Sequence, residues 1–107
     1  MLLNLLEFLD LSMAKRIADP AEVRRIRATI FDKLNRRGKW GPSHTSKENA
    51  IKGIPSHEAG AAKDILEGAI KEGYLNLKPT NYGDQVSLNY DRRNEILDII
   101  NELLNEE

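Results

Sequence analysis

Several residue types that carry chemistry are scarce in this 107-residue chain. It has no cysteine, which excludes both a disulfide framework and a zinc site built on thiolates. Its two histidines, His44 and His57, belong to no HExxH pattern, and the chain has neither a Gly-rich phosphate loop nor a nucleophile elbow. We therefore expect no enzyme and no cofactor. For the two histidines we expect surface or capping roles rather than a metal site.

Long apolar runs are also missing. The most apolar stretch, residues 1–12, is too short to span a bilayer and contains Glu7 and Asp10. No basic segment precedes it, so we expect a cytoplasmic protein without a membrane span or a secretory signal. Its polar residues recur at every third position, which predicts that residues 1–18 form an apolar helix covered by another helix. Alternatively, Met13 is the true start and the residues before it are an over-extension of the gene.

Charge, in contrast, is abundant and unevenly placed. Charged residues make up 31% of the chain, yet the formal net charge is only −1. Residues 15–47 contain ten Lys and Arg against three acidic residues, whereas acidic residues predominate from Asp91 onward. The first half of the chain therefore suits an anionic partner. A hydrophobic content of 40% over this length supports one domain with a modest core.

Two helices are predicted ahead of residue 55. The first spans Pro20–Arg37, with Asp19 as its N-cap and a proline at the first helical position. The second is short: Thr45 and Glu48 have capping-box spacing, and Gly53 ends it. Between the two helices the chain breaks around Trp40, which we expect to pack at the edge of the core, in the position of a short first strand.

The stretch from Ser56 to Asn89 predicts one helix followed directly by a β-hairpin. Ser56 is the predicted N-cap and Gly73 the residue that ends the helix. Two alternating segments then flank a polar loop, Pro79–Asp84, in which Asn81 and Gly83 suit turn positions with unusual φ angles. The predicted inward residues of the helix are Ala59, Ala62, Ile65, Leu66, Ala69 and Ile70, and those of the strands are Leu75, Leu77, Val86 and Leu88.

A last helix is predicted from Asp91, its N-cap, to the end of the chain at residue 107. It offers more apolar surface than one small domain needs, and several of its apolar residues are spaced by seven, as in paired helices. We therefore expect a homodimer formed through this helix, with the N-terminal segment as a second element. The apolar residues are Ile96, Leu97, Ile99, Ile100, Leu103 and Leu104.

The order of these elements predicts the fold: a mainly α chain with a small β-hairpin, arranged as a winged helix-turn-helix over residues 19–90 with extra helices at both ends. The helix from Ser56 would then enter the major groove of DNA, with Ala61 and Asp64 among its outward residues. That helix is net acidic, so phosphate contacts must come from elsewhere. The predicted nucleic-acid-binding residues are Arg24, Arg25, Arg27, Lys47, Lys52, Ser56, His57, Gly60, Lys63, Lys78, Thr80, Asn81, Tyr82 and Gln85.

Two segments carry a resemblance to known proteins. Residues Lys52–His57 together with Gly60, and the segment Lys78–Asn89, are similar to those of small archaeal winged-helix proteins of unassigned role. The likeness extends from Arg24 to about Arg93. It implies a winged-helix fold, an archaeal origin and nucleic-acid binding by analogy, without a target or an effector.

The sequence leaves three functions open. The first, which we prefer, is a double-stranded DNA-binding transcription regulator. The second is an RNA- or ribosome-associated protein in which Tyr82 or Trp40 stacks on unpaired bases. The third is a protein-interaction module, which the acidic helix from Ser56 favours.

Overall fold

The computed structural model of the protein describes residues 19–105, a mainly helical chain with a small three-stranded antiparallel sheet. Short 3₁₀ turns, Ser56–Glu58 and Tyr90–Arg92, precede the last two helices. In the described part of the chain, no helix has the length and apolar character needed to cross a membrane. The predictions for residues 1–18, including the choice of start, lie outside the described residues. The elements are α1 (Pro20–Arg36), β1 (Thr45–Ser46), α2 (Lys47–Ile51), α3 (Ala59–Lys71), β2 (Leu75–Thr80), β3 (Gly83–Leu88) and α4 (Arg93–Asn105).

Helix α1 begins as the sequence predicts. The Asp19 carboxylate accepts a hydrogen bond of 3.0 Å from the backbone N–H of Ala21, and Pro20 occupies the first helical position. The helix ends at Arg36, one residue earlier than predicted, with Arg37 as its C-cap. Capping satisfies backbone groups that have no partner inside the helix, which fixes where the helix starts.

The starts of the other three helices were wrongly predicted. Ser46 rather than Thr45 caps α2, since its hydroxyl accepts the backbone N–H of Asn49 at 3.0 Å while Thr45 lies in β1. Ser56 caps nothing: it opens a 3₁₀ turn, and the α-helix starts at Ala59. Asp91 likewise lies inside a 3₁₀ turn, which is capped by Asn89. In each case tertiary pairing or a tight turn uses the backbone before the α-helical pattern starts.

The hairpin is longer than the sequence suggested. Strands β2 and β3 pair from Leu75 opposite Leu88 to Thr80 opposite Gly83, so most of the predicted loop Pro79–Asp84 is strand. A two-residue turn, Asn81 and Tyr82, joins them. Both Asn81 and Gly83 lie at or beside this turn, where Gly83 has a positive φ of 113° and Asn81 does not have a positive φ. Strand β1 pairs with β3, giving the order β1-β3-β2.

The alternation predicted for the hairpin holds only in part. Leu75, Val86 and Leu88 are buried, but Leu77 is 42% exposed and the polar Ser87 is 2% exposed. Burial of Ser87 is satisfied by hydrogen bonds, since its hydroxyl donates to the Gly41 carbonyl at 2.8 Å and accepts from the Asn76 amide at 3.2 Å.

Helix α4 belongs to the core of this domain. It packs against α1, and Ile96, Ile99 and Ile100 are buried in the same cluster as Phe31 and Leu88. The surplus apolar surface expected for α4 is therefore largely covered by its own chain. Among the residues of α4 whose side chains the structure describes, Leu97 and Leu103 are partly buried at the edge of this cluster. The prediction for Leu104 lies outside the described side chains. Homodimerisation through this helix remains a prediction, with a smaller apolar surface to support it.

Trp40 packs at the edge of the core, as predicted, but it does not belong to a strand. It makes an isolated bridge with Leu88, and the short first strand lies at Thr45–Ser46 instead. Its indole N–H donates to the Asn35 side chain at 3.0 Å, and its ring stacks on Tyr90 with centroids 5.3 Å apart. This stacking joins the end of α1 to the turn before α4.

Gly41 lies against the Tyr90 ring of this stack, so a side chain at this position would clash with the ring. Its φ of 56° is left-handed, and a Cβ added there would lie 2.9 Å from Cε2 of Tyr90. We expect Gly41→Ala to lower the free energy of unfolding by about 1–2 kcal/mol from backbone strain alone, with a further loss from displacing the Tyr90 ring. Gly38→Ala is the matched control, since φ is 67° and nothing lies within 4 Å of the added Cβ. Urea unfolding of both variants measures the difference, and equal losses would contradict the steric argument.

Candidate nucleic-acid interface

The start of α3 faces outward, although not with all the predicted residues. Ser56, His57 and Lys63 are exposed and Gly60 is partly so. Ala61 was predicted to face outward and is buried, whereas Ala59 was predicted inward and is exposed. The inward stripe of a helix recurs at three- and four-residue intervals, and here that stripe begins at Glu58. The polarity of Glu58 concealed this register in the sequence.

Glu58 is a buried carboxylate, 8% exposed, and Arg25 accounts for its burial. The guanidinium of Arg25 donates to Glu58 and also lies 3.9 Å from the Glu22 carboxylate. Burial raises the pKa of Glu58, but hydrogen bonds from the Glu22 carboxyl and from Arg25 outweigh burial and leave this pKa below 4.5. The hydrogen bond to Glu58, followed by burial, raises the pKa of Glu22. Arg25 was predicted to bind nucleic acid, but its charge is largely used inside the protein.

We expect Arg25→Gln to destabilise the protein more at about pH 7 than at about pH 3. A carboxylate whose pKa is lowered by folding contributes stability above its ordinary value of 4.5, and this contribution is lost as the pH falls through the folded-state pKa. Thermal unfolding at both pH values measures the effect. Arg24→Gln is the control, since Arg24 forms no ion pair within residues 19–105. A loss for Arg25→Gln that is independent of pH would contradict the proposed pairing.

Lys47 is also neutralised within the protein. Its ammonium lies 2.6 Å from a carboxylate oxygen of Glu67 and 3.5 Å from one of Asp84. The hydrogen bond to Glu67 raises the pKa of Lys47. This lysine therefore connects the start of α2 to the middle of α3 and to the hairpin. The two negative charges of its partners outnumber its one positive charge, so Lys47 is not available to a phosphate.

Arg24 and Arg27 lie on the side of α1 that meets α4. Both line a small cavity together with Glu102 and Leu103 of α4. Arg27 also lies over the Tyr74 ring, with its guanidinium carbon 5.7 Å from the centroid. They are not among the residues that surround Lys52. The basic residues predicted to act together are thus distributed over separate surfaces.

A different group of cations does converge, at the end of α1. Lys33, Arg36, Arg37 and Lys52, here called the α1-end cluster, line a depression of about 400 Å³ with Asn49 and Gly53. The ammonium of Lys33 donates to the carbonyls of Asn49 and Lys52, the latter at 2.7 Å, and so holds the turn after α2. Burial, followed by the charges of Arg37, Lys52 and Arg36, lowers the pKa of Lys33.

The α1-end cluster keeps much of its charge. Arg36 pairs with Asp32 at 2.9 Å, but Arg37 and Lys52 form no ion pair within residues 19–105. Of these four residues, Lys52 is among the predicted nucleic-acid-binding residues, while Lys33 and Arg36 were predicted to lie on the basic outer face of the first helix, either solvated or in contact with phosphate. The spacing of Lys33, Arg36 and Arg37 marks one helix face in the sequence. Their approach to Lys52, however, depends on how α1 packs against the turn after α2.

The hairpin tip presents one large ring to solvent. Tyr82 is 97% exposed, so it does not fold back over the hairpin, and Lys78 and Asn81 beside it are also exposed. Thr80 is used inside the turn, where its hydroxyl donates to the Gly83 carbonyl at 2.6 Å and accepts from the backbone N–H of Tyr82 at 3.1 Å. Gln85, the last of the predicted binding residues in the hairpin, forms a hydrogen bond of 3.2 Å with the ring of His44.

Neither metal chemistry nor known relatives add to this picture. Within residues 19–105, no group of three histidine or carboxylate side chains could hold a metal ion. Comparison of the chain with protein-family models, curated proteins and solved structures finds no match. The candidate interface therefore consists of three exposed groups: the α1-end cluster and the start of α3, which share a cavity lining, and the hairpin tip.

Proposed function

We propose that this chain is a cytoplasmic winged-helix protein that binds double-stranded DNA through its phosphate backbone and acts in transcription regulation. Support for the fold comes from the element order: a long helix, a short strand and helix, a tight turn, a helix and a hairpin whose second strand pairs with the first strand. The observation that carries the function is the α1-end cluster, which adjoins the start of α3. The two are connected by a protein cavity, which Arg36, Lys52, Pro55 and Glu58 line.

In this arrangement the α1-end cluster would pair with the DNA phosphates, and the start of α3 would contact the bases. Arg37 and Lys52 are free to pair with phosphates, which give affinity without sequence information. Ser56 and His57 lie a few residues beyond Lys52 and are exposed. They would contact base edges in the major groove of the DNA. Lys78 and Tyr82 would contact the backbone next to the groove. Arg25 and Lys47 hold the helices in place rather than contacting DNA. Binding of this kind depends strongly on salt and weakly on sequence.

Fluorescence anisotropy with a labelled duplex of arbitrary sequence tests the proposal. We expect binding at low salt that weakens as salt increases, with a slope of log affinity against log salt of about −2 to −4 for two to four phosphate contacts. Unlabelled duplex DNA should compete better than structured RNA. Absence of binding at low salt would refute the proposal, and preferential competition by RNA would assign the same surface to RNA.

A second candidate is a protein-interaction module. The observation in its favour is the middle of α3, where Lys47 is bridged to Glu67 and Asp84 and the surface carries little net positive charge. An exposed Tyr82 is also typical of the anchors that bind in pockets of a partner protein. Copurification of one stoichiometric protein partner, together with failure of the anisotropy experiment, would select this function.

The proposed homodimer needs its own measurement. The edge of α4 retains partly buried Leu97 and Leu103. The sequence of residues 1–18 is also rich in apolar residues. Light scattering after size-exclusion chromatography gives the mass directly. A mass of one chain across the accessible concentrations would refute dimerisation.

A further inference from the structure

A cavity of about 210 Å³ lies between α1 and the turn that precedes α3. Its floor is apolar, since Ile26, Ile30 and Ala50 line it and each is about 1% exposed. Ile54 and Pro55 of the turn form its wall. The cavity is smaller than the roughly 300–1,000 Å³ of sites for drug-sized molecules, so its ligand must be compact.

The rim of this cavity is positively charged at one end. Arg36 and Lys52 both line it there, and they also belong to the α1-end cluster. The ammonium of Lys33 is already hydrogen-bonded to two backbone carbonyls. The Arg36 side chain is 69% exposed, so its ion pair with Asp32 is weak enough to exchange for another anion. At the opposite end, Arg25 and Glu58 neutralise each other.

We propose that this cavity binds a small organic anion, a carboxylate or phosphate monoester carried on a compact apolar group. The apolar group would lie against Ile54, which is partly exposed, and Pro55, which is exposed, and the anion would face Lys52 and Arg36. An inorganic anion would leave this apolar wall uncovered, and an uncharged apolar molecule would leave the cations without a partner. Both features of the cavity therefore require the two properties in one ligand.

The position of the cavity connects this ligand to DNA binding, a link that rests on the proposed function. Lys52 would pair with the bound anion and with a phosphate of the duplex, and one ammonium cannot serve both fully. Ile54 and Pro55 form the wall of the cavity and lead directly into the 3₁₀ turn before α3. The ligand would therefore act as an effector that weakens DNA binding.

Methyl NMR titration of the full chain with benzoate, benzamide and inorganic phosphate tests the site. We expect benzoate to shift the methyl signals of Ile26, Ile30 and Ile54 with a Kd of about 1 mM or tighter. Benzamide, which has the same ring without the charge, and inorganic phosphate should each bind at least about tenfold more weakly. Equal binding of benzoate and benzamide, equal binding of benzoate and phosphate, or shifts confined to other residues would each overturn the proposal.

Single substitutions show whether benzoate binds in this cavity, provided that the variants remain folded. Thr29 lines the cavity and is only partly buried, so Thr29→Phe should fill the space and abolish the benzoate shifts while the rest of the spectrum stays folded. Lys52→Gln should weaken benzoate binding at least about fivefold. Lys71→Gln is the matched control, since this exposed lysine lies at the far end of α3 and should leave binding unchanged. Unchanged benzoate binding in both Thr29→Phe and Lys52→Gln would overturn the proposal.

The link to DNA has a separate readout. Benzoate should lower the duplex affinity of the wild-type protein but not that of Thr29→Phe. Benzoate binding without any DNA binding would leave the anion site in place and refute the proposed function. DNA binding without benzoate shifts would refute the anion site alone.

Discussion

Ile96→Ala is expected to lower the free energy of unfolding by about 2–5 kcal/mol, the range for truncating a fully buried aliphatic side chain. Ile96 is 0% exposed and belongs to the core cluster that also contains Phe31 and Leu88. Removing its outer carbons leaves a cavity between α4 and α1 that the surrounding helices cannot close fully. The result distinguishes two roles for α4, an integral core helix and a helix needed only for dimerisation. Chemical unfolding at two protein concentrations measures it.

Asp98→Ala is the control for this prediction. Asp98 lies two residues away on the same helix and is exposed, so its replacement should change the free energy of unfolding by no more than about 0.5 kcal/mol. A loss for Ile96→Ala that vanishes at low protein concentration would assign α4 to a dimer interface. A loss that is independent of concentration assigns it to the core of one chain.

The double variant Arg37→Glu/Lys52→Glu is expected to weaken duplex binding at low salt by at least about tenfold and to reduce the salt slope by about 2. Each substitution removes a cation that pairs with phosphate and adds a charge that repels it. Both side chains are exposed and neither forms an ion pair within residues 19–105, so the fold should tolerate the change. Anisotropy across a salt series measures both quantities, and circular dichroism checks the fold.

Arg24→Glu provides the matched control for the double variant. It reverses one positive charge, against two in the double variant, at a position on α1 outside the α1-end cluster and beside Glu102 of α4. We expect the salt slope of this variant to remain that of the wild type. An equal loss for Arg24→Glu would mean that overall charge, rather than the α1-end cluster, governs binding.

Tyr82 at the hairpin tip and His57 before α3 both lie outside the core. Tyr82 contacts no core, and His57 is exposed at the first turn before α3. In contrast, Thr80 and Gln85 at the hairpin have partners inside the protein. The first pair therefore offers the clearest substitutions for a search for partners, since changes there should leave stability intact.

Local patterns in the sequence determined where most elements lie. Helical periodicity and capping by Asp19 located α1, and alternation with a glycine after the turn located the hairpin. Such features depend on neighbouring residues, so one sequence is enough to identify them. The same local reasoning failed at Ser56 and Asp91, where a short turn precedes the α-helix and uses the capping position.

Charge and burial depended on contacts between distant segments, which only the tertiary structure decides. Arg25 and Lys47 look free in the sequence, yet Glu58, Glu67 and Asp84 neutralise them through packing of α1, α2, α3 and the hairpin. The α1-end cluster arises in the same way, because the turn after α2 brings Lys52 to the end of α1. Electrostatic energy depends on distances in space rather than on separation along the chain. The sequence therefore established which charges exist, while the packing of the helices decided which of them remain available to a partner.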